Sequence, residues 1–508
     1  MHNLEQWQTE NQRHLAVSLS WLRLRLAWHI LQGYIARGKP APEPFNRVNK
    51  EKVAQAAAAV AEAEAIDPPP ALRLLEQQFG LSGFEREIVL LCAAMELDKH
   101  AANLCAQLYP YQPYPTVALA LSLFEAPAWD ALSSERPLRY WQLIEINQPG
   151  AQPLVTSALR ADERIVNYLK GLNPLDDLLM PFLIPFEATL AQVELPPSQR
   201  ATVATITRYL EQKSPNASLP AIQLLGNDRL SKQLIAWFAA RELGLHLYCL
   251  PEELLPTQAS ELETLTRLWQ RESLLLPLAL YLDAQEIDPA PAAEGQASPL
   301  QRFLLRHRGL CFLATREVRP NLGRSRFVVE VTKPTLAEQK TAWAEALGPS
   351  PKDTPDYLVG QFNFNLPEIQ ELAETALNES AEDSPDLHTR LWYHCQVNTR
   401  PRLDTLAQRL NAKATWEDIV LPDKEMTLLH QMTGQVRYRT QVYEGWGFNR
   451  KMNRGLGISA LFAGDSGTGK TMAAEVIAND LQLDLYRIDL SAVVSKYIGE
   501  TEKNLRRL

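Results

Sequence analysis

Leu461-Phe462-Ala463-Gly464-Asp465-Ser466-Gly467-Thr468-Gly469-Lys470-Thr471 is the stretch from which the rest of the chain is read. Gly464 to Thr471 spells G-x-x-x-x-G-K-T, a phosphate-binding loop. The apolar segment Ile458 to Ala463 enters it as an expected strand, and Thr471 to Leu481 leaves it as an expected helix. Glycines let the backbone turn its N–H groups inward around a polyphosphate. The following helix offers the same anion its positive N-terminus. Lys470 is spaced to reach the outer phosphates, and the Thr471 hydroxyl to ligate Mg²⁺. The expected phosphate cradle is Gly464, Asp465, Ser466, Gly467, Thr468, Gly469, Lys470, Thr471 and Met472. A glycine-rich turn could match by chance, and the strand-before, helix-after context is what separates the two readings.

A constant step of 238 residues, from Lys232 to Lys470, exposes a second copy of this unit. Gly226 falls on Gly464, Ala236 on Ala474, Ala240 on Ala478, Leu243 on Leu481, Leu247 on Leu485 and Tyr248 on Tyr486, without a gap. A whole domain is therefore repeated. The first copy has lost its loop chemistry: Arg229 stands for Gly467, Ser231 for Gly469 and Gln233 for Thr471. A left-handed backbone at Arg229 or Ser231 would cost about 1–2 kcal/mol each. Downstream, Leu278 to Asp283 reads as a buried strand ending in an acid. Ala284 follows, so no carboxylate is placed to activate water. Gly226, Lys232 and Asp283 thus mark a degenerate site, expected to keep the fold and not the hydrolysis. Leu310 to Thr315 reads as another apolar strand.

Length and composition frame the rest. The chain has 508 residues, 46% hydrophobic and 22% charged, with net charge -9. That is ordinary for a multidomain globular protein and argues against a dedicated nucleic-acid binder. Five scattered cysteines without a C-x-x-C pair suggest a reducing, cytoplasmic setting. The first residues lack a signal-peptide pattern, and the apolar run Leu274 to Leu282 is too short to cross a bilayer.

Residues 14 to 37 predict an amphipathic helix carrying Leu15, Leu19, Leu22, Leu26 and Ile30 on one face. Leu72, Leu75 and Phe79 predict a helix stopped by Gly80, and Ser82 with Glu85 a capping box opening Phe84 to Leu97. With a strand expected over Leu138 to Ile146, this suggests a winged-helix-like unit. Its second helix is apolar and acidic, unlike one that reads base edges. Residues 213–218 read as a linker.

Residues 416 to 508 resemble the AAA+ ATPases. Thr415-Trp416-Glu417-Asp418-Ile419-Val420 is similar to the strip opening such modules, which implies an adenine-side role for Asp418 and Ile419. The resemblance implies ATP and Mg²⁺ as cofactors. Lys496-Tyr497-Ile498-Gly499 is similar to the family's first pore loop, implying a grip on a polypeptide substrate inside a homo-hexamer. The first copy has Gln258-Ala259-Ser260-Glu261 there, with no aromatic grip. Phe79 to Cys92, Pro137 to Trp141 and Ile458 to Gly464 further resemble the ATPases encoded with contractile injection systems. That implies a cytoplasmic helper in particle assembly or cargo loading, with particle components as partners and no membrane.

The expected fold is α/β. A helical, winged-helix-like region (1–195) precedes a degenerate AAA+ module (196–395), a linker (396–415) and the start of an active-type module (416–508). The step from Lys232 to Asp283, applied to Lys470, passes Leu508. The catalytic glutamate is therefore expected beyond Leu508, no catalytic residue is expected within the chain, and residues 1–508 alone are expected to be inactive. In the family's sheet order a strand is expected between the two strands that flank the P-loop helix. Two other functions fit parts of the sequence: an ATP-switched, DNA-associated regulator, and a non-catalytic scaffold that docks partners.

Overall fold

The computed structural model describes residues 2–108, 113–186, 193–214, 219–285, 297–348, 354–379, 386–400, 407–439, 441–448 and 457–488. The backbone forms two compact units, residues 1–192 with 200–332, and residues 193–199 with 333–508.

The first unit opens with α1 (His2–Ala36), longer than its apolar stripe required, and α2 (Lys50–Glu64). Leu15, Leu22, Leu26 and Ile30 of the predicted face are buried. Next come α3 (Ala71–Phe79) and α4 (Gly83–Leu97), joined by Gly80 in the left-handed conformation at φ 65°. The Ser82–Glu85 capping box is formed: the Glu85 carboxylate accepts from Ser82 N at 2.8 Å, and Ser82 Oγ from Glu85 N at 3.3 Å. Ile88 to Ala94 are all buried, so α4 is a core helix rather than one with a free reading face. Buried Asn11 ties this core together, donating to Leu169 O and accepting from Ala71 N.

After α5 (Lys99–Leu108) and α6 (Val117–Leu123), the expected strand over Leu138 to Ile146 is split. Its first part is α7 (Pro137–Tyr140), because Pro137 at the first helical position fixes a helical φ. Only β1 (Ile144–Asn147) is extended, and it pairs antiparallel with β2 (Ala158–Ala161) as the wing. Helix α8 (Glu163–Leu169) follows.

The repeat's first copy is an α/β sheet in the same unit. Its strands are β3 (Ile184–Pro185), β4 (Ala221–Leu225), β5 (His246–Pro251), β6 (Leu278–Asp283), β7 (Leu310–Thr315) and β8 (Arg326–Glu330). The order is β3-β5-β6-β7-β4-β8, parallel except for β3. Helices α9 (Pro197–Glu211), α10 (Arg229–Glu242), α11 (Ala259–Leu275) and α12 (Pro299–Arg306) complete it. The central strands β6 and β7 are buried along their whole length, as a sheet covered on both faces requires. Leu265, Trp269 and Phe303 of α11 and α12 pack on Leu280, Leu282 and Leu313. Buried charges join α11 to the wing region: Arg164 Nε meets Glu272 at 2.9 Å, and Arg271 meets Asp176 and, at 3.4 Å, Asp162.

The second unit starts with four helices, α13 (Leu336–Leu347), α14 (Thr354–Gln361), α15 (Leu366–Asn378) and α16 (Leu387–Thr399). They close around Trp343, Leu358, Ile369, Leu391 and Cys395. The second copy follows: β9 (Ala407–Leu410), α17 (Asp423–Arg437), α18 (Lys470–Asp480) and β10 (Leu485–Ile488). β9 pairs antiparallel with β10, Arg409 facing Tyr486, just as Pro185 faces Tyr248 in the first copy. Each copy thus carries an antiparallel edge strand on the strand that follows its loop helix.

Ile458 to Ala463 corrects the sequence reading: it is not a strand, and Leu461 is 93% exposed. In the first copy the equivalent β4 is held between β7 and β8, and among the described residues nothing flanks Ile458 to Ala463 in that way. Strand geometry needs a neighbour to take its backbone hydrogen bonds. In the first copy two strands, β6 and β7, separate β5 from β4, one more than expected.

Candidate functional site

In the second copy the loop has the shape its glycines allow. Gly467 and Gly469 sit at φ 85° and 86°, and a Cβ on either would meet open space. Gly469 caps α18, so the first free N–H groups of that helix face the loop. Lys470 Nζ folds back to donate to the carbonyls of Gly464 at 2.9 Å and Asp465 at 2.6 Å. Thr468 Oγ1 braces the turn by donating to Asp465 O at 2.9 Å. Asp465, Ser466, Thr471 and Met472 are exposed. Open left-handed glycines, a helix N-terminus, a lysine and an adjoining hydroxyl fit a polyphosphate with its Mg²⁺ on Thr471.

Ile419 is buried with Ala473 and Val476 of α18, so it supports the loop helix from behind. The Asp418 carboxylate accepts from Thr415 N at 2.8 Å and Thr415 Oγ1 at 2.9 Å, which holds it below the usual carboxylate range. Lys496, Tyr497, Ile498 and Gly499 lie outside the described residues.

At the far end of α18 the chain is clamped. Trp392 Nε1 and Gln396 Nε2 of α16 donate to Gln482 O at 2.9 and 3.2 Å. Asp484 is held by Arg400 at 3.1 Å and Arg409 at 2.8 Å. No local sequence pattern signals this clamp, because its partners are 75 to 90 residues apart.

The first copy departs from the expected strain. Its chain does not turn left-handed at Arg229 and Ser231; it becomes helical at Arg229, so α10 begins three positions before the equivalent of Lys470. Asp228 is the N-cap, its Oδ2 accepting from Ser231 N at 2.7 Å. Arg229 meets the Asp283 carboxylate at 2.7 Å. Lys232 is fully buried, donating to Gly226 O at 2.6 Å and Thr315 O at 3.1 Å, and burial pushes its pKa down to about 8. Arg319 donates to Ala284 O at 2.8 Å and pairs with Glu252. Gly226, Lys232 and Asp283 are thus brought together, with Lys232 held by backbone carbonyls and Asp283 by Arg229. Gln258 caps α11, so the position matching the pore loop opens a helix.

Three family models match the chain. They are a winged helix domain variant over residues 8–183, the contractile injection system ATPase helical domain over 335–401, and the ATPase family associated with various cellular activities (AAA) over 460–508. Among curated proteins the chain is similar to an uncharacterized AAA family ATPase, y4kL, of Sinorhizobium fredii, at 32% identity over 20% of this chain and 28% of the relative. The uncharacterized AAA domain-containing protein ycf46 of Trieres chinensis matches at 25% identity, over 31% of this chain and 37% of the relative. Cell division protein C of Sulfolobus acidocaldarius matches at 31% identity, over 23% of this chain and 27% of the relative. The chain therefore spans about a third of the length of these relatives. The helical-domain match covers the α13–α16 bundle, the winged-helix match covers α1 to the wing, and the AAA match covers the phosphate loop. Together the three matches support an AAA+ ATPase of the contractile injection system type.

Proposed function

We propose that the intact protein uses ATP and Mg²⁺ to remodel polypeptide for a contractile injection particle, in its assembly or in loading of its cargo. The observation that carries this reading is an open, left-handed phosphate loop in a chain that also has the injection-system helical domain. In this proposal Gly464 to Met472 hold the phosphates, Thr471 holds Mg²⁺, and Asp418 and Ile419 lie on the adenine side. Lys496 to Gly499 grip the polypeptide in the channel of a cytoplasmic homo-hexamer, and particle components are the partners. The layout proposed for it is a winged-helix-like region to 195, a degenerate module to 395, a linker to 415 and the active-type module from 416.

The test is ATP turnover of the intact protein with and without Lys470→Ala. Loss of turnover supports the assignment, and wild-type turnover in the variant sinks it. A salt-dependent gel shift tests the DNA-associated alternative, which the all-round burial of Ile88 to Ala94 disfavours. The scaffold alternative predicts that the Lys470→Ala protein still captures its partner without ATP. It draws support from the first copy, whose site is closed by its own side chains.

A further inference from the structure

The two copies of the loop differ at six of their eight positions, and Asp228 and Arg229 of the first copy stand where the second has Ser466 and Gly467. We infer that Asp228 and Arg229 determine nucleotide specificity between the repeats, by filling the first site with an internal anion and an internal cation. The reference for this comparison is the reading of Gly464–Thr471 as a nucleotide loop.

The anion is the Asp228 carboxylate. A phosphate loop works because the N–H groups at the start of its helix lack intrahelical partners and turn toward the ligand. In α10 the carboxylate of Asp228 accepts one of these, Ser231 N, at 2.7 Å. Where the second copy has open space at Gly467, the first already has a helical residue with a long side chain. A phosphate entering here would meet a carboxylate at the N-cap and lose the N–H that the carboxylate holds.

The cation is the Arg229 guanidinium. Asp283 ends a central parallel strand, on the sheet edge where α/β folds bind ligands. Its side chain is 5% exposed and needs a positive partner, which Arg229 supplies at 2.7 Å. A nucleotide-borne Mg²⁺ would have to displace that guanidinium. The lysine is committed as well: Lys232 donates to the backbone of both Gly226 and Thr315. The first module therefore holds its loop, its lysine and its strand-end acid in one fixed arrangement without nucleotide.

The experiment is a titration of the full chain with a fluorescent ATP analogue and Mg²⁺. Lys470→Ala is expected to weaken binding by about 10- to 100-fold. In that background Asn227→Asp, Asp228→Ser, Arg229→Gly, Leu230→Thr, Ser231→Gly and Gln233→Thr together recreate the second copy's loop and should restore one site per chain. A Lys470→Ala chain that still binds one equivalent, lost on Lys232→Ala, overturns the inference. So does a folded converted chain that remains empty. If the wild-type chain binds nothing, the reading of the second loop fails, while the converted first loop still decides this inference by gaining a site or not. If the converted chain does not fold, a thermal-melting cycle of Arg229→Gln and Asp283→Asn decides. Shifts that fall short of additive support the internal pair, and additive shifts overturn it.

Discussion

The ammonium of Lys232 donates to the carbonyl of Gly226 at 2.6 Å, and the repeat makes the same bond at 2.9 Å between Lys470 and Gly464. The lysine-to-loop contact thus persists in both copies, whether or not the loop has kept its glycines. What differs is the surroundings: Lys232 is sealed under Thr315, whereas Lys470 closes on an exposed turn.

Gly226 is fixed by its surroundings as well as by its φ of 140°. A Cβ there would lie 2.3 Å from the carbonyl oxygen of Val331, a backbone atom that β8 holds in place. Gly226→Ala is expected to destabilise the first unit by about 2–4 kcal/mol, read as a drop in denaturation midpoint. At Gly464 the nearest atom is the Thr468 hydroxyl at 3.0 Å, a side-chain atom on an exposed turn that can give way at the cost of its bond to Asp465 O, so Gly464→Ala should cost less. Equal losses in the two variants would contradict the distinction.

Glu272 is the carboxylate between two buried arginines, 2.9 Å from Arg164 Nε and 3.6 Å from Arg271 Nε. Glu272→Ala strips the buried Arg164 guanidinium of this carboxylate, while Arg271 keeps Asp176 and Asp162. A loss of about 3–5 kcal/mol in the first unit is expected by chemical denaturation. A change under about 1 kcal/mol would mean water reaches this network.

His307 is fully buried and stacks on Phe303, and burial pushes its pKa down to about 3. The folded chain keeps it neutral while the unfolded chain protonates near the ordinary value of 6.5. Stability from this group is therefore complete above pH 6.5 and is lost as pH falls toward 3. His307→Phe should flatten that part of the stability–pH curve; an unchanged slope between pH 6 and about 4 refutes the assignment.

Asp484 joins the end of α18 to β10 under Arg400 and Arg409. Asp484→Asn is expected to loosen the β9–β10 pair by about 0.5–1.5 kcal/mol, the range of partly exposed ion pairs. Amide hydrogen exchange at Leu485 to Ile488 should quicken by roughly two- to tenfold. Unchanged exchange would show that the Trp392 and Gln396 bonds to Gln482 suffice on their own.

Much of the fold was legible in local pattern. The caps at Gly80 and Ser82, the strands Leu278 to Asp283 and Leu310 to Thr315, and the loop helix follow from glycine, capping and apolar-run rules. Two strands were misread, for different reasons. At Leu138 a proline set a helical turn inside an apolar run. At Ile458 to Ala463 the pattern is strand-like, but strand geometry comes from neighbours that a local pattern does not contain.

The sequence by itself determined that the loop is repeated, which copy kept its glycines, and where lysine and acid stand in each. Those are matters of residue identity and spacing. Tertiary structure alone decided what the replacements do. Arg229 reads as a lost glycine until β6 brings Asp283 to within 2.7 Å of it. The strain expected at Arg229 and Ser231 vanishes because α10 starts early under Asp228. Partners 54 residues apart meet only through the sheet order, which the long crossovers between parallel strands fix and local propensity does not.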